Sequence, residues 1–163
     1  MIRYARSADL PGIVEIYNQA ILAKFQTADT RLFTVEEKED WFNSHDTVNY
    51  PILVEEQYGM VRGWLSVSAY RPGRKALQDC VEVSYYVNQS YLRQGIGSAL
   101  LSTVLEFCRA ANYRTIITII LDRNQPSIEL MEKFGFSLWG HLPGIANFDG
   151  ERCGHVYYGL QLQ

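Results

Sequence analysis

A run of nine residues, Leu92-Arg93-Gln94-Gly95-Ile96-Gly97-Ser98-Ala99-Leu100, lies between a predicted strand and a predicted helix and is the most informative stretch of the sequence. Before it, valine or tyrosine at the odd positions of residues 81–87 alternates with glutamate, serine and tyrosine at the even positions, which predicts a strand with two distinct faces. After it, apolar residues recur along one face of residues 96–111, which predicts an amphipathic helix. Glycine lets the backbone approach a ligand closely, and a helix N-terminus carries a partial positive charge. The turn is therefore suited to a phosphate or pyrophosphate, although a plain strand-to-helix turn could need glycine for its geometry alone.

Other glycine-bearing motifs do not fit this turn. A dinucleotide-binding fingerprint needs a third glycine or alanine where Leu100 stands. A P-loop needs Gly-Lys-Ser/Thr, and neither that spelling nor Gly-x-Ser-x-Gly or His-Glu-x-x-His occurs in the chain. What remains is a pyrophosphate turn after the fourth strand of a mixed sheet.

Periodicity outside the turn predicts the order β-α-α-β-β-β-α-β-α-β-β. Strands are expected at residues 2–5, 51–56, 60–70, 81–87, 115–121, 136–140 and 152–161. Helices are expected after Ser7 or Asp9, after the capping box that begins at Thr34, over residues 96–111, and from Asn124 to about residue 135. This order is typical of an α/β fold with a mixed sheet and helices on both faces.

Composition narrows the class of protein. The 163 residues, 47% hydrophobic and 20% charged, predict a single domain over 1–163 with a sizeable core, and exclude a disordered chain or a coiled coil. The net charge of -3 disfavours nucleic acid and anionic lipid as partners.

Cysteine and histidine usage predicts neither a disulfide framework nor a metal site. The three cysteines are far apart without a Cys-x-x-Cys pair, and the three histidines are scattered. The N-terminus has no apolar stretch of signal-peptide length, and no apolar run approaches the ~20 residues of a membrane span. We therefore expect a cytoplasmic, reduced protein with no membrane, nucleic acid or metal partner.

Two motifs about thirty residues apart resemble the GCN5-related N-acetyltransferase superfamily. They are Gln94-Gly95-Ile96-Gly97-Ser98-Ala99-Leu100-Leu101 and the pair Asn124-Gln125-Pro126-Ser127-Ile128 and Leu130-Met131-Glu132-Lys133-Phe134-Gly135-Phe136. Further spellings resemble the branch that acetylates phosphinothricin and methionine sulfoximine: Ile16-Tyr17-Asn18, Trp41-Phe42, Gly73-Arg74, Val81-Glu82-Val83-Ser84-Tyr85-Tyr86-Val87 and Leu142-Pro143-Gly144.

The resemblance implies the acyl-CoA N-acyltransferase fold, whose mostly antiparallel twisted sheet splays between its fourth and fifth strands to hold acetyl-CoA. It implies a pyrophosphate site on the backbone N–H groups of Arg93, Gln94, Gly95, Ile96, Gly97 and Ser98. It also implies that the pantetheine arm pairs with the backbone of Tyr85, Tyr86 and Val87 like an added strand. Asn124, Ser127 and Lys133 would contact the rest of the cofactor. Simple helix capping by Asn124 and a solvated Lys133 are the alternatives.

Glu82 is the expected catalytic base. An amine must be neutral to attack a thioester, and amines near pH 7 are mostly protonated, so a base acting directly or through one water is expected. Glu82 points to the opposite strand face from Val81 and Val83, and the resemblance implies a glutamate with this role here. The alternative is a carboxylate solvated at a sheet face. A backbone N–H near Val87 would stabilise the developing oxyanion.

The expected substrate is a small amino-acid analogue such as methionine sulfoximine, methionine sulfone or phosphinothricin. Its acidic groups would be held by the loop before Glu82, through Arg71, Arg74, Lys75, Ala76 and Leu77, unless those cations are merely solvated. Residues 27–30 would close over it, and a homodimer would complete the pocket; both expectations rest on the resemblance. The alternatives are another small amine substrate, or a catalytically silent acyl-CoA-binding regulatory module.

Three departures from the family pattern keep those alternatives open. Leu92 replaces the usual Arg or Gln before the first glycine, and Met131 replaces a Tyr or His that serves as general acid. Because methionine has no proton to give, the thiolate would leave unaided or take a proton from elsewhere, for example from water. The loop reads Gly73-Arg74-Lys75-Ala76-Leu77 where relatives have Arg-Pro-Ala-Tyr, which leaves the exact substrate open.

Overall fold

The computed structural model describes all residues from 1 to 163. Its seven-stranded sheet has the order β1-β2-β3-β4-β5-β7-β6, and only β4 and β5 are parallel. The strands are β1 Ile2–Tyr4, β2 Ile52–Gln57, β3 Met60–Ala69, β4 Cys80–Val87, β5 Thr115–Leu121, β6 Ser137–Phe148 and β7 Glu151–Gln161. The helices are α1 Leu10–Leu22, α2 Val35–Asn43, α3 Ile96–Ala110 and α4 Gln125–Lys133. The predicted mixed α/β sheet is confirmed.

The sheet opens between β4 and β5. Their pairing runs from Cys80↔Thr115 to Glu82↔Ile117 and then stops, so the rest of each strand has no neighbour across this seam. The predicted splay between the fourth and fifth strands is therefore present. We call the space beyond Glu82 the β4–β5 gap.

The two sheet faces bury different helices because strand side chains alternate. On one face, Leu65 and Val67 of β3 join α3 and α4 in the main core. On the other face, Trp64 of β3 packs with Ile13 and Ile16 of α1 in a smaller cluster. None of the helices has the length and hydrophobicity that a membrane span requires.

The capping box that begins α2 is confirmed: Thr34 Oγ1 accepts from the Glu37 N–H, and the Glu37 carboxylate accepts from the Thr34 N–H. Asp9 precedes α1, but its carboxylate accepts from the Arg6 N–H and pairs with Arg3 instead of capping that helix. The Arg3 guanidinium donates a charge-assisted pair of hydrogen bonds to this carboxylate, which is stronger than a bond from a neutral helix N–H.

The predicted strand 136–140 is too short, since β6 continues to Phe148. Its register with β7 is irregular at two places, and the second, between Leu142 and Ala146, accommodates Pro143 and Gly144. Proline is tolerated because β6 is an edge strand whose outer N–H groups need no partner. Trp139 on this strand is 47% exposed, whereas Trp64 is buried in the core.

Candidate active site

The β4–β5 gap is a cavity with backbone, hydroxyl and apolar walls. It is lined by Ser84, Tyr85, Tyr86 and Val87 of β4, Thr118, Ile119 and Ile120 of β5, Asn124, Pro126 and Ser127 at the start of α4, and Gln26 and Leu92. Three of the predicted cofactor-binding residues on β4 thus lie here together with Asn124 and Ser127.

The backbone of β4 presents unpaired polar groups to the gap. The Asn88 N–H donates to the Arg62 carbonyl at 2.9 Å, and the Cys80 carbonyl accepts from the Tyr70 N–H at 3.2 Å. In an antiparallel ladder, alternate residues bond to the same neighbour, so the even-numbered residues of β4 bond to β3. The N–H and C=O groups of Tyr85 and Val87 therefore point into the gap, where an extended ligand could pair with them.

The glycine turn contributes the start of α3 to the same region. Arg93 and Gly95 adopt positive φ angles of 61° and 79°, and Arg93, Gln94 and Gly95 are exposed. The Ala99 N–H makes the first backbone bond of the helix, to the Gly95 carbonyl at 2.9 Å, and no side chain caps the end. The N–H groups of Ile96, Gly97 and Ser98 thus have no intrahelical acceptor.

The two glycines of the turn serve different purposes. Gly95 has a left-handed backbone, with φ 79°, that favours glycine, and a Cβ added there would meet nothing within 4 Å, so the space beside it is open. A Cβ at Gly97 would lie 3.1 Å from Leu130 and 3.2 Å from the Tyr85 ring, so Gly97 lets α3 pack closely. Both positions therefore have a geometric reason for glycine, and the open space beside Gly95 leaves room for a ligand.

Hydroxyl groups connect β4 to α4 across the gap. The Tyr85 phenol and Ser127 Oγ are hydrogen-bonded at 2.9 Å, and burial raises the pKa of Tyr85. Asn124 Oδ1 accepts from the Ser127 N–H at 3.4 Å, so Asn124 caps α4 while also lining the gap. Lys133 is exposed in the last turn of α4 and does not line this cavity. Met131 is fully buried in the main core.

Glu82 stands where the two strands separate. It is the last residue of β4 that pairs with β5, and it lies directly opposite Ser68 of β3. The carboxylate is half-buried and forms no salt bridge, and burial raises its pKa above the ordinary value of 4.5. A raised pKa makes the Glu82 carboxylate a stronger base, which suits it to accept a proton from an amine.

A second cavity lies on the Glu82 face of the sheet, and the sequence did not lead us to it. It is enclosed by α1, α2, β3 and β4 and lined by Ile13, Val14, Tyr17, Lys38, Trp41, Trp64, Ser66, Ser68, Ser84 and Tyr86. We call it the serine-floored cavity. Ser84 and Tyr86 line both this cavity and the β4–β5 gap, so the two spaces adjoin. Small polar residues at alternate strand positions, Ser66 and Ser68, were the signal in the sequence that could have indicated a cavity here.

The predicted substrate loop is exposed and lines a different cavity. Arg71, Arg74, Lys75 and Leu77 surround it together with Tyr50 and Tyr70, and Ala76 is exposed beside them. This cavity shares no residue with the gap, but the loop leads directly into β4, where Glu82 is the third residue. None of the three loop cations forms a salt bridge within the chain.

Residues 27–30 are fastened to α1 through Tyr17. Its phenol is hydrogen-bonded to Thr27 Oγ1 at 2.9 Å and donates to the Asp29 carboxylate. Burial and Asp29 together raise the pKa of Tyr17, so the phenol keeps its proton. The Tyr17 ring packs edge-on against Tyr86 at 5.0 Å, and burial raises the pKa of Tyr86 to about 12. This segment is thus tied to the wall of the serine-floored cavity.

Comparison with known proteins yields a consistent set of similar chains. A model described as the acetyltransferase (GNAT) family matches residues 11–136. The chain is 38% identical to "Putative phosphinothricin acetyltransferase YwnH" of Bacillus subtilis strain 168, covering 99% of this chain and 98% of that protein. It is 32% identical to the L-methionine sulfoximine/L-methionine sulfone acetyltransferase of Pseudomonas aeruginosa strain PAO1, covering 99% and 94%.

Solved structures of other acetyltransferases are similar to this chain over nearly its whole length. A GNAT superfamily phosphinothricin acetyltransferase from Sinorhizobium meliloti, in complex with AcCoA, superposes with a TM-score of 0.93 at 30% identity, covering 99% of this chain and 88% of that one. A Staphylococcus aureus N-acetyltransferase gives a TM-score of 0.95 at 33% identity, covering 100% and 98%.

Proposed function

The chain belongs to the acetyltransferase (GNAT) family and is an acetyl-CoA-dependent N-acetyltransferase, and from this premise we propose that it acetylates the α-amine of a small amino-acid analogue. The analogues meant are methionine sulfoximine, methionine sulfone and phosphinothricin, the compounds for which its relatives are named. Attack would be direct, with both substrates bound at once.

The observation that carries the proposal is the position of Glu82. It stands at the point where β4 leaves β5 and faces the same side of the sheet as the serine-floored cavity. A carboxylate without a salt bridge, placed where a cofactor gap and a small-molecule cavity adjoin, is suited to take a proton from an amine that enters from the cavity.

The residues of the gap fit an acyl-CoA. The unpaired backbone groups of Tyr85 and Val87 would pair with the pantetheine arm, and Tyr86 would separate it from the cavity. The free N–H groups at the start of α3, with Arg93, Gln94 and Gly95, would hold the pyrophosphate. Asn124, Ser127 and Lys133 would contact the remainder. Bound acetyl-CoA supplies the thioester carbonyl carbon to which the amine adds.

The chain's own groups then manage protons and charge. Glu82 accepts a proton from the ammonium form of the substrate, directly or through a water, and so provides the neutral amine. The Val87 N–H, directed into the gap, stabilises negative charge on the carbonyl oxygen. Met131 cannot protonate the leaving sulfur. Where β4 faces α4 across the gap, the hydroxyl groups available to the sulfur are those of Tyr85 and Ser127.

Recognition of the amino acid's carboxylate would come from the loop before β4. Arg71, Arg74 and Lys75 have no anionic partner of their own, and Ala76 and Leu77 shape the same short turn. A polycationic amine is the less favoured alternative, because these cations would repel it. A silent binding module is disfavoured because an acyl-CoA carrier would not need a half-buried carboxylate with a raised pKa at the apex of the gap.

We also propose that the protein forms a homodimer through the outer edge of β6. Leu138, Trp139, Leu142 and Ile145 are all exposed on this strand, and its outer backbone groups are unpaired. A long apolar edge strand is a natural surface for a second copy of the chain.

Thiol release from acetyl-CoA, measured against a panel of amines, tests the proposal. Methionine sulfone, methionine sulfoximine and phosphinothricin should release thiol and gain one acetyl group by mass, whereas spermidine and an aminoglycoside should not. Glu82→Gln should lower kcat/KM by about 10²- to 10⁴-fold, while Glu106→Gln, at an exposed position of α3, should not. Turnover of spermidine alone would contradict the substrate class. Binding of acetyl-CoA without turnover of any amine would support the silent module.

A further inference from the structure

The serine-floored cavity contains one charged side chain, Lys38 of α2. Its ammonium lies 4.0 Å from the centre of the Phe33 ring, 4.8 Å from that of Tyr17 and 5.8 Å from that of Trp41. No carboxylate of the chain pairs with it. Aromatic faces attract a cation and hold it in place without neutralising it. Lys38 is thus a positioned positive charge that still has its hydrogen-bonding capacity.

Three hydroxyl groups form the floor of the cavity. Ser66 and Ser84 lie directly opposite each other on β3 and β4, and Ser68 is opposite Glu82. None of the three side chains is hydrogen-bonded to another group, although Ser66 is only 4% exposed. The serine oxygens are unpaired but not sealed from solvent, because His45 Nε2 is the one side-chain polar atom of the chain that is both. The serine oxygens are therefore accessible from the cavity.

The walls of the cavity are aromatic and tightly interlocked. Trp64 lies 4.9 Å from Tyr86 and 5.5 Å from Trp41, ring centre to ring centre, and its indole N–H donates to the Ile13 carbonyl. These contacts fix the rings in place and leave their remaining surface to an apolar substituent. The cavity therefore offers hydroxyl groups on its floor, a cation held against its aromatic walls, and flat apolar ring surface beside both.

We infer that the serine-floored cavity is the subsite for the side-chain head of the substrate, and that it selects a tetrahedral, oxygen-bearing group with a small alkyl substituent. Sulfone, sulfoximine and phosphinate groups have this shape. Their oxygens accept hydrogen bonds from the serines and Lys38, and their methyl group contacts the aromatic walls. The inference rests on the proposed function, because it assigns one end of the same substrate.

The chemistry also sets an order of preference. A thioether such as that of methionine offers no strong acceptor, so the ammonium and hydroxyls would lose water without compensation. A phosphinate carries a full negative charge and gains most from Lys38. Lys38 should therefore matter most for phosphinothricin, less for methionine sulfone and least for methionine.

Calorimetric titration in the presence of CoA, which needs no turnover, tests this order. In Lys38→Met, methionine sulfone should bind about tenfold more weakly and phosphinothricin up to about 100-fold more weakly. The affinity for methionine should change less than twofold. Lys38→Arg should recover most of the loss. Arg31→Met removes another cation, 4.5 Å from the same Phe33 ring but paired with Glu37 outside the cavity, and should change none of the affinities.

Equal weakening of all three ligands in Lys38→Met, or no weakening, would overturn the subsite. So would a wild-type protein that does not bind methionine sulfone at millimolar concentration. An unchanged CoA affinity in Lys38→Met excludes a general folding defect, and Ser66→Ala with Ser84→Ala provides a second, uncharged test with the same expected direction. If the wild type binds methionine sulfone with the predicted Lys38 dependence but releases no thiol, the proposed reaction fails while the subsite stands.

Discussion

Tyr17→Phe isolates the contact that fastens residues 27–30 to α1. The substitution keeps the ring, which packs against Tyr86 at 5.0 Å and Trp64 at 6.2 Å, and removes only the phenol oxygen. Two hydrogen bonds disappear with that oxygen, one with Thr27 Oγ1 and one to the Asp29 carboxylate. The segment then has no side-chain hydrogen bond to α1 and keeps only its internal one, from the Asp29 N–H to Thr27 Oγ1.

The expected cost follows from the kind of bond that is lost. A hydrogen bond to a charged group contributes about 1.5–3 kcal/mol, and a neutral one that water can replace contributes less. Asp29 is half-buried, so water satisfies it in part. We expect a loss of about 2 kcal/mol in the free energy of unfolding, which for a chain of this length lowers Tm by about 4–8 °C.

Two assays check this prediction. Thermal unfolding gives the stability change, and hydrogen exchange should show faster exchange confined to residues 26–30. Because Gln26 lines the gap and Tyr17 lines the serine-floored cavity, KM for methionine sulfone should rise several-fold with a smaller change in kcat. Tyr113→Phe is the matched control: it removes a phenol bond to the Asn49 carbonyl, between two residues that line neither cavity, and should leave KM unchanged. An unchanged Tm and unchanged exchange at residues 26–30 would refute the fastening role.

Three further predictions concern Glu82, the glycine turn and the edge of the sheet. Burial raises the pKa of Glu82 above 4.5, because the folded protein disfavours the charged carboxylate. The wild type therefore loses stability as pH rises above 4.5 and Glu82 ionises. Glu82→Gln should be the more stable protein in urea at pH 8 and equal to the wild type at pH 4. Gly95→Ala forces an alanine into φ 79°, where its Cβ crowds the adjacent backbone carbonyl although no other residue lies within 4 Å. It should therefore cost about 1–2 kcal/mol in urea unfolding and weaken CoA binding in a titration. Ile145→Glu places a charge on the exposed edge strand β6 and should convert the dimer to a monomer in analytical ultracentrifugation, and a wild type that is already monomeric would contradict the interface.

The sequence predicted the elements well wherever local pattern determines the structure. The alternation of residues 81–87 and the β-branched run at 115–121 gave β4 and β5 within a residue, since each strand's faces are set by period two. The strand at 136–140 was predicted too short because Pro143 and Gly144 indicate a turn by composition. Strand β6 accommodates Pro143 and Gly144 in a register shift because it lies at the edge of the sheet, and the local sequence does not reveal that position.

The candidate site was predicted only in part, for a similar reason. Glu82 and the glycine turn carry their signal in adjacent residues. The serine-floored cavity depends instead on the register that places Ser66 opposite Ser84 and Ser68 opposite Glu82. It also depends on α2, which brings Lys38 from a distant part of the chain. Neither relation can be obtained from one-dimensional spacing, whereas the three loop cations lie within five consecutive residues, 71–75.

The pH dependence of kcat/KM for methionine sulfone, compared between the wild type and Glu82→Gln, tests the central claim most directly. Both proteins need a neutral amine, so the ratio of their kcat/KM values cancels the titration of the substrate and reports Glu82 alone. The ratio should be large at pH 8 and fall towards one as pH drops through a pKa above 4.5. A ratio near one at pH 8, or a large ratio that does not change with pH, would contradict Glu82 as the base.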